Sequence, residues 1–257
     1  MRQQKKISLI LPAYNEAGRI AVTLSEAVRY FDSRGYTYEI IVAADGNDGT
    51  REIVAGMAKE NPALRVIGGP ERRGKGRGIR NAVQIAGGEI IGFADADNKV
   101  PIEELDKVMP LLERGYRVVI GSRALDRSLI ERAQPLYRRL GSRVFAVSMR
   151  FATGLRTVSD TQCGFKFFQH DAAKKIFSHQ KIDGYMFDVE ILILAQHFGM
   201  TIHEVPIRWR DDGDSRLQLI SGNLRNMRDI LRIRLENRPS AKTPSTTARA
   251  RVAGQDR

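Results

Sequence analysis

Short apolar runs alternate along the chain with stretches whose apolar residues recur every three or four positions. Ile7 to Leu11, closed by Pro12, predicts a first strand. Ile20, Leu24, Ala27, Val28 and Phe31 keep helical spacing, and Gly35 marks the stop. Tyr38 to Val42 predicts a second strand, Ile53, Val54 and Met57 a helix after it, and Leu64 to Ile67 a third strand. Beyond the glycine-rich Gly74-Lys75-Gly76-Arg77-Gly78, the residues Ile79, Ala82, Val83 and Ala86 share one helical face. Ile90, Ile91 and Phe93 mark a fourth strand. Leu105, Val108 and Leu112 predict another helix, and Arg117 to Ile120 a fifth strand.

Repeated β-α units of this kind predict an α/β fold, with a mostly parallel central sheet and helices on both faces. The second half is more mixed. Leu136, Leu140, Val144, Val147 and Phe151 outline a long amphipathic helix. Gly164 to Phe168 and Ile202 to Trp209 read as strands, with a helix from Phe187 to His197 between them. Ser221 to Leu235 reads as a basic amphipathic helix. The division expected is a catalytic domain over 1–220, that helix over 221–237 and a disordered tail over 238–257.

Ligands of parallel sheets bind beyond the carboxyl ends of the strands. Polar clusters fall there: Tyr14-Asn15-Glu16, Asp45-Gly46-Asn47-Asp48, Asp95 with Asp97, and Ser122-Arg123. That edge is expected to be the active site. Alternation in an extended segment puts Asp95 and Asp97 on one side. Two carboxylates so close repel unless a cation sits between them, and Mg²⁺ or Mn²⁺ sharing a substrate's phosphates suits such a pair. Gly74 to Gly78 predicts a loop that brings backbone N–H groups to an anion, with Lys75 or Arg77 adding charge. Together these features suggest a ligand carrying a diphosphate. No Gly-x-Gly-x-x-Gly follows the first strand and no complete P-loop is present, which argues against a dinucleotide fold and against an ATPase.

Composition narrows the setting. A chain of 257 residues can bury a proper core. The single cysteine, Cys163, rules out an internal disulfide and a cysteine-based zinc site. His170, His179, His197 and His203 are scattered without metal-ligand spacing and receive no role. The net charge is +12, and the last 37 residues carry half of it. A basic end of this kind suits nucleic acid, anionic lipid or solvent alone, and a motif that reads nucleic acid is not recognisable. No apolar run is long enough for a membrane span and no signal-peptide core is evident, so a cytoplasmic location is expected.

Five motifs, in order, carry a resemblance: Leu11-Pro12-Ala13-Tyr14-Asn15-Glu16, Asp45-Gly46, Gly74-Lys75-Gly76, Asp95-Ala96-Asp97 and Gly121-Ser122-Arg123. They resemble the family 2 glycosyltransferases of GT-A fold. Asp160-Thr161-Gln162-Cys163-Gly164-Phe165-Lys166, then Phe187-Asp188-Val189-Glu190, then Trp209 and Ser215, are similar to the polyprenyl-phosphate branch of that family. Within it, the dolichyl-phosphate β-glucosyltransferases match best, with the dolichyl-phosphate mannose synthases as sisters.

The resemblance implies residue roles. Pro12, Ala13, Tyr14 and Glu16 would line the pocket for base and ribose, with Asp45 beside the base and Lys75 near the phosphates. Asp95 and Asp97 would engage Mg²⁺ or Mn²⁺ and the donor diphosphate. Arg123, Arg138 and Ser142 would hold the acceptor phosphate, and Asp160 and Gln162 would face the donor sugar or the acceptor. The implied reaction moves a sugar, glucose from UDP-glucose above others, onto a polyprenyl or dolichyl phosphate with inversion to a β-linkage. A phosphate acceptor is already anionic and needs no strong general base. Mannose from GDP-mannose is the alternative donor, and a non-enzymatic basic nucleic-acid-binding or scaffold protein the alternative class. The expected partners are therefore a nucleotide-sugar donor and a lipid phosphate, not nucleic acid. Ala44 stands where the family usually has the first of two adjacent acids before the glycine, and the turn is expected to be one residue shorter. Without the anchor of the eukaryotic enzymes, membrane contact is expected to be peripheral, at the cytoplasmic face, through the basic 221–235 helix.

Overall fold

The computed structural model describes residues 6–125, 154–155 and 157–210. The expected helix from Leu136 to Phe151, the residues Arg138, Ser142 and Ser215, the basic helix and the tail all lie outside the described residues.

The elements follow the β-α alternation. They are β1 (Ile7–Tyr14), α1 (Ile20–Arg34), β2 (Tyr38–Asp45), α2 (Thr50–Glu60), β3 (Leu64–Ile67), α3 (Lys75–Ile85) and β4 (Ile90–Ala94). A 3₁₀ turn (Ile102–Glu104) leads into α4 (Leu105–Glu113), then β5 (Val118–Ser122). Further along come β6 (Phe165–Gln169), α5 (His170–His179), α6 (Phe187–His197) and β7 (Ile202–Pro206). The strands form one sheet in the order β3-β2-β1-β4-β6-β5-β7. β6 runs antiparallel to β4 and β5, and the other neighbours are parallel. The mostly parallel expectation therefore holds, with one reversed strand that periodicity did not signal.

Two apolar layers cover the sheet, as period-2 alternation dictates. Leu9, Leu11, Ile40, Val42, Phe165 and Phe167 pack on the side of α1 and α4. Ile10, Ile41, Ile91, Phe93 and Phe168 pack on the side of α3, α5 and α6. Nine consecutive residues of α6, from Phe187 to Ala195, are buried, so it is a core helix enclosed on all sides. Two of the nine are Asp188 and Glu190.

Several local expectations need correction. β1 continues past Pro12 to Tyr14, because β1 pairs with β4 only as far as Ile10, and a residue without an N–H is tolerated where one neighbouring ladder has ended. Asp95 and Asp97 sit in a turn after β4, not in extended backbone. Lys75 to Gly78 form the first turn of α3, so the glycine-rich segment is helix and not loop. The strand expected to reach Trp209 ends at Pro206. Helix α5, with Ala172, Ala173, Ile176 and Phe177 buried, was not expected.

Candidate active site

The polar clusters after β1, β2, β4 and β5 gather at one edge of the sheet, since those strands are parallel in space. Because β6 runs the opposite way, its leading segment, Asp160 to Gly164, arrives at the same edge. The backbone N–H of Asp95 donates to the Gly164 carbonyl at 3.0 Å, which ties the two segments together.

At the centre the Lys75 ammonium lies 2.7 Å from Asp95 Oδ1 and 3.7 Å from Asp188 Oδ2. The other oxygen of Asp188 receives Lys166 Nζ, which also donates to the Cys163 carbonyl at 2.6 Å. Lys166 is fully buried on β6, facing Asp188 at the start of α6. Burial opposes the charge of Lys75, yet Asp95 and Asp188 prevail and hold its pKa above the ordinary value. Asp97 is less well served. Burial and the neighbouring Asp95 charge raise its carboxyl, against a backbone N–H from Lys99 at 3.3 Å and the Lys99 ammonium at 3.7 Å. Each carboxylate thus has one ammonium beside it, Lys75 closely and Lys99 at longer range, and the donors of the pair are hard oxygens. No cluster of three or more His, Cys, Asp or Glu side chains occurs among the described residues. Two carboxylates leave most of a divalent ion's shell to water and substrate oxygens, as Mg²⁺ and Mn²⁺ sites with phosphate ligands do. The residues fit that group.

The glycines beside Lys75 serve packing. The N–H groups of Gly76 and Arg77 donate to the Asp183 carbonyl at 2.9 and 3.3 Å. A Cβ on Gly76 would lie 2.5 Å from the Ile182 carbonyl and 2.6 Å from Phe187 Cβ. The expected anion cradle is therefore filled by the chain itself, and what this turn offers the cleft is Lys75.

On the other side Arg123 and Asp160 form a two-point ion pair, Nε to Oδ2 at 2.7 Å and Nη2 to Oδ1 at 2.9 Å. Burial works against both charges. The Arg123 guanidinium nevertheless holds the Asp160 carboxyl down to about 2, and Arg123 is raised in turn. Glu204 of β7 fixes the loop by accepting the N–H groups of Ser159 and Asp160 at 2.8 and 3.0 Å. Arg123 also sits 5.6 Å from the Trp209 ring centre. Gln162 donates its backbone N–H to Asp160 Oδ1 at 3.2 Å. Burial pushes the Cys163 thiol up to about 12, which leaves it inert.

The loops after β1 and β2 are stitched to each other. Ala17 N–H donates to Asp48 and Glu16 N–H to Thr50 Oγ1, at 2.8 and 3.0 Å. Tyr14 is exposed, with the Arg72 guanidinium 4.4 Å over its ring. Asp45 accepts the Arg73 N–H at 2.8 Å and, with Ala43, Arg77 and Asn81, borders a cavity of about 280 Å³. Pro12 is half-buried on β1, while Ala13 is buried in the core opposite Ala44, so neither alanine side chain reaches the cleft.

Asp188, Lys166 and Glu204 support the candidate site; the first two were quoted in motifs but given no role, and Glu204 was not singled out. The signal was present: a lysine within Phe165-Lys166-Phe167-Phe168 and an acid opening the apolar run of α6 are both out of place unless paired.

The fold is that of the GT-A glycosyltransferases. Glucosyl-3-phosphoglycerate synthase from Mycobacterium tuberculosis, solved with UDP, superposes with a TM-score of 0.62 at 20% identity, covering 92% of this chain and 82% of that one. The mannosyltransferase PcManGT from Pyrobaculum calidifontis, solved with GDP-Man and Mn²⁺, gives 0.62 at 19%, covering 95% and 67%. Likeness at this identity speaks to fold. In sequence, residues 8–177 match the glycosyl transferase family 2 profile. Dolichyl-phosphate beta-glucosyltransferase ALG5C of Trichomonas vaginalis is 37% identical over 238 residues, 88% of this chain and 70% of the relative. The dolichyl-phosphate beta-glucosyltransferase of Homo sapiens is 33% identical over 250 residues, 90% and 75%. The chain belongs to glycosyl transferase family 2.

Proposed function

We propose that this protein transfers glucose from UDP-glucose to a dolichyl or other polyprenyl phosphate, inverting the anomeric centre. The observation that carries the reading is the Lys75–Asp95–Asp97 cluster at the carboxyl edge of the sheet, an ammonium beside two hard-oxygen carboxylates that a diphosphate and its divalent ion would engage. Relatives named dolichyl-phosphate beta-glucosyltransferase, similar over about nine-tenths of the chain, support the choice of sugar and acceptor.

Asp95 and Asp97 would hold Mg²⁺ or Mn²⁺, which supplies Lewis-acid neutralisation of the leaving diphosphate. Lys75 adds a second positive charge beside it. The nucleoside lies between the loops after β1 and β2, with Tyr14, Glu16 and Asp45 at its base and ribose and with Pro12 and Ala13 contributing backbone. Arg123, already oriented by Asp160, meets the acceptor phosphate through charge-assisted bonds, together with Arg138 and Ser142. Gln162 borders the sugar. The acceptor comes from the cytoplasmic face of a membrane, which the protein reaches peripherally. Among the described residues no helix is long and apolar enough to cross a membrane.

The test offers UDP-glucose, GDP-mannose and UDP-N-acetylglucosamine separately, with Mg²⁺ and a short polyprenyl phosphate, and follows sugar into the lipid phase. Glucose transfer alone is expected. Transfer of mannose or N-acetylglucosamine instead overturns the donor, and no transfer with any donor overturns the acceptor.

A further inference from the structure

Four charged side chains form a line from the core to the cleft: Lys166, Asp188, Lys75 and Asp95. Lys166 is 0% exposed. Its ammonium is fixed twice, by the Cys163 carbonyl and by Asp188 Oδ1. Asp188, 3% exposed, offers its second oxygen to Lys75 at 3.7 Å. Phe93 lies between the two lysines, its ring centre 5.9 Å from Lys75 Nζ and 5.5 Å from Lys166 Nζ. An aspartate buried so deeply beside one lysine would already be neutralised, so its reach toward a second serves the cleft. Lys75 meanwhile lies 2.7 Å from Asp95 Oδ1, so it already neutralises a carboxylate that a cation would share.

We propose that Asp188, anchored by Lys166, is a positioning residue for Lys75. It keeps that ammonium beside Asp95 as the resident counter-charge, and retains it in the cleft when a divalent ion takes Asp95 and Lys75 turns to the donor's diphosphate. The inference rests on the donor-site reading above and adds a competition to it. Lys75 opposes the free ion at Asp95 and favours the nucleotide diphosphate once the ion is bound. An ammonium that merely filled space would do neither.

Calorimetry on the full chain separates these cases, titrating Mn²⁺ alone and then UDP at saturating Mn²⁺. Lys75→Ala is expected to bind Mn²⁺ alone about three- to tenfold more tightly, because a competing ion pair is gone. The same variant should bind UDP with Mn²⁺ roughly tenfold more weakly. Asp188→Asn loosens the hold on Lys75 beside Asp95, so Mn²⁺ alone should bind roughly threefold more tightly and UDP with Mn²⁺ roughly threefold more weakly, the pattern of Lys75→Ala on a smaller scale. In the Lys75→Ala background the same change should matter by less than about twofold, since its effect runs through Lys75. If Asp188→Asn does not fold, the apolar replacement Lys166→Met with Asp188→Leu removes the anchor without stranding a buried charge, and the same pattern is expected. Unchanged or weaker Mn²⁺ binding by Lys75→Ala overturns the proposal, as do additive effects of the Asp188 and Lys75 changes. A wild-type protein that binds no UDP with Mn²⁺ overturns instead the donor reading on which it rests.

Discussion

Gly164 is packed so closely on Asp95 that a Cβ at position 164 would fall 2.0 Å from Asp95 Oδ2 and 2.3 Å from its Cγ. The same two residues share a backbone hydrogen bond of 3.0 Å. The loop leading into β6 thus forms the wall against which the Asp95 carboxylate is set.

Gly164→Ala should therefore push the Asp95 carboxylate off Lys75 while leaving both charges in place. Overpacking of this kind costs about 1–3 kcal/mol, so a lower melting temperature is expected. UDP binding with Mn²⁺ should weaken by about tenfold or more. Calorimetry that finds wild-type affinity in a folded variant would contradict the placement of Asp95.

The Arg123–Asp160 pair carries a pH signature. Asp160 is held at about 2 against an ordinary 3.8. A carboxyl lowered on folding contributes stability that is full above its unfolded value and is lost as pH falls through its folded value. Arg123→Gln strands a buried carboxylate and should cost about 3 kcal/mol near neutral pH. The cost should shrink under acid, where the stranded group takes up a proton. Urea unfolding near pH 7 and near pH 3 checks this: a gap between wild type and variant that widens toward acid would contradict it.

Much of the scaffold was legible because burial writes period 2 and period 3.6 directly into the chain. β3 and α6 begin and end where their apolar runs do. Strand direction is not written that way. Phe165 to Gln169 has the same pattern whichever way it runs, so the reversal of β6, which delivers Asp160 and Gly164 to the cleft, came only with the structure. The gathering of Asp95, Asp97 and Arg123 at one edge was legible from their places at strand ends. The pairings were not, because Arg123 meets Asp160 and Lys75 meets Asp188 across long stretches of chain that periodicity does not connect. Lys75 to Gly78 misled for a different reason. Glycines that let a backbone approach a phosphate and glycines that let one helix turn approach another segment look identical in sequence.

His203 offers a second pH test, away from the site. It is 1% exposed on β7, its ring centre 3.8 Å from that of Tyr116. Neither nitrogen has a hydrogen-bond partner among the described residues. Burial lowers its pKa below the ordinary 6.5, so the folded protein resists a proton that the unfolded chain accepts. Stability should then fall as pH drops below the ordinary value, until the folded form is protonated too. His203→Phe keeps an aromatic ring against Tyr116 and removes the titration. The difference in melting temperature between about pH 7.5 and about pH 5 should be smaller in the variant than in wild type. An equal difference would show that His203 does not titrate across that window.

Two helical glycines should respond oppositely to one methyl group. Gly56 lies exposed in the interior of α2, and a Cβ there meets nothing within 4 Å. Gly56→Ala should stabilise by about 0.5–1 kcal/mol, through lower backbone entropy in the unfolded chain. That corresponds to a rise of roughly 1–4 °C in a domain of this size. Gly76→Ala gains the same helical preference. Its methyl, however, would meet the Ile182 carbonyl at 2.5 Å, Phe187 Cβ at 2.6 Å and Gln180 Nε2 at 2.9 Å. Two of those atoms belong to backbone or to a buried helix start and cannot swing aside. The first turn of α3 must therefore lift from the 180–187 segment, taking Lys75 with it. A fall in melting temperature is expected together with a rise in KM for the nucleotide sugar. Because Lys75 itself is unaltered, a variant that melts lower yet keeps its KM would mean that the turn had adjusted without moving the ammonium, and that Lys75 is positioned by Asp188 and Asp95 alone.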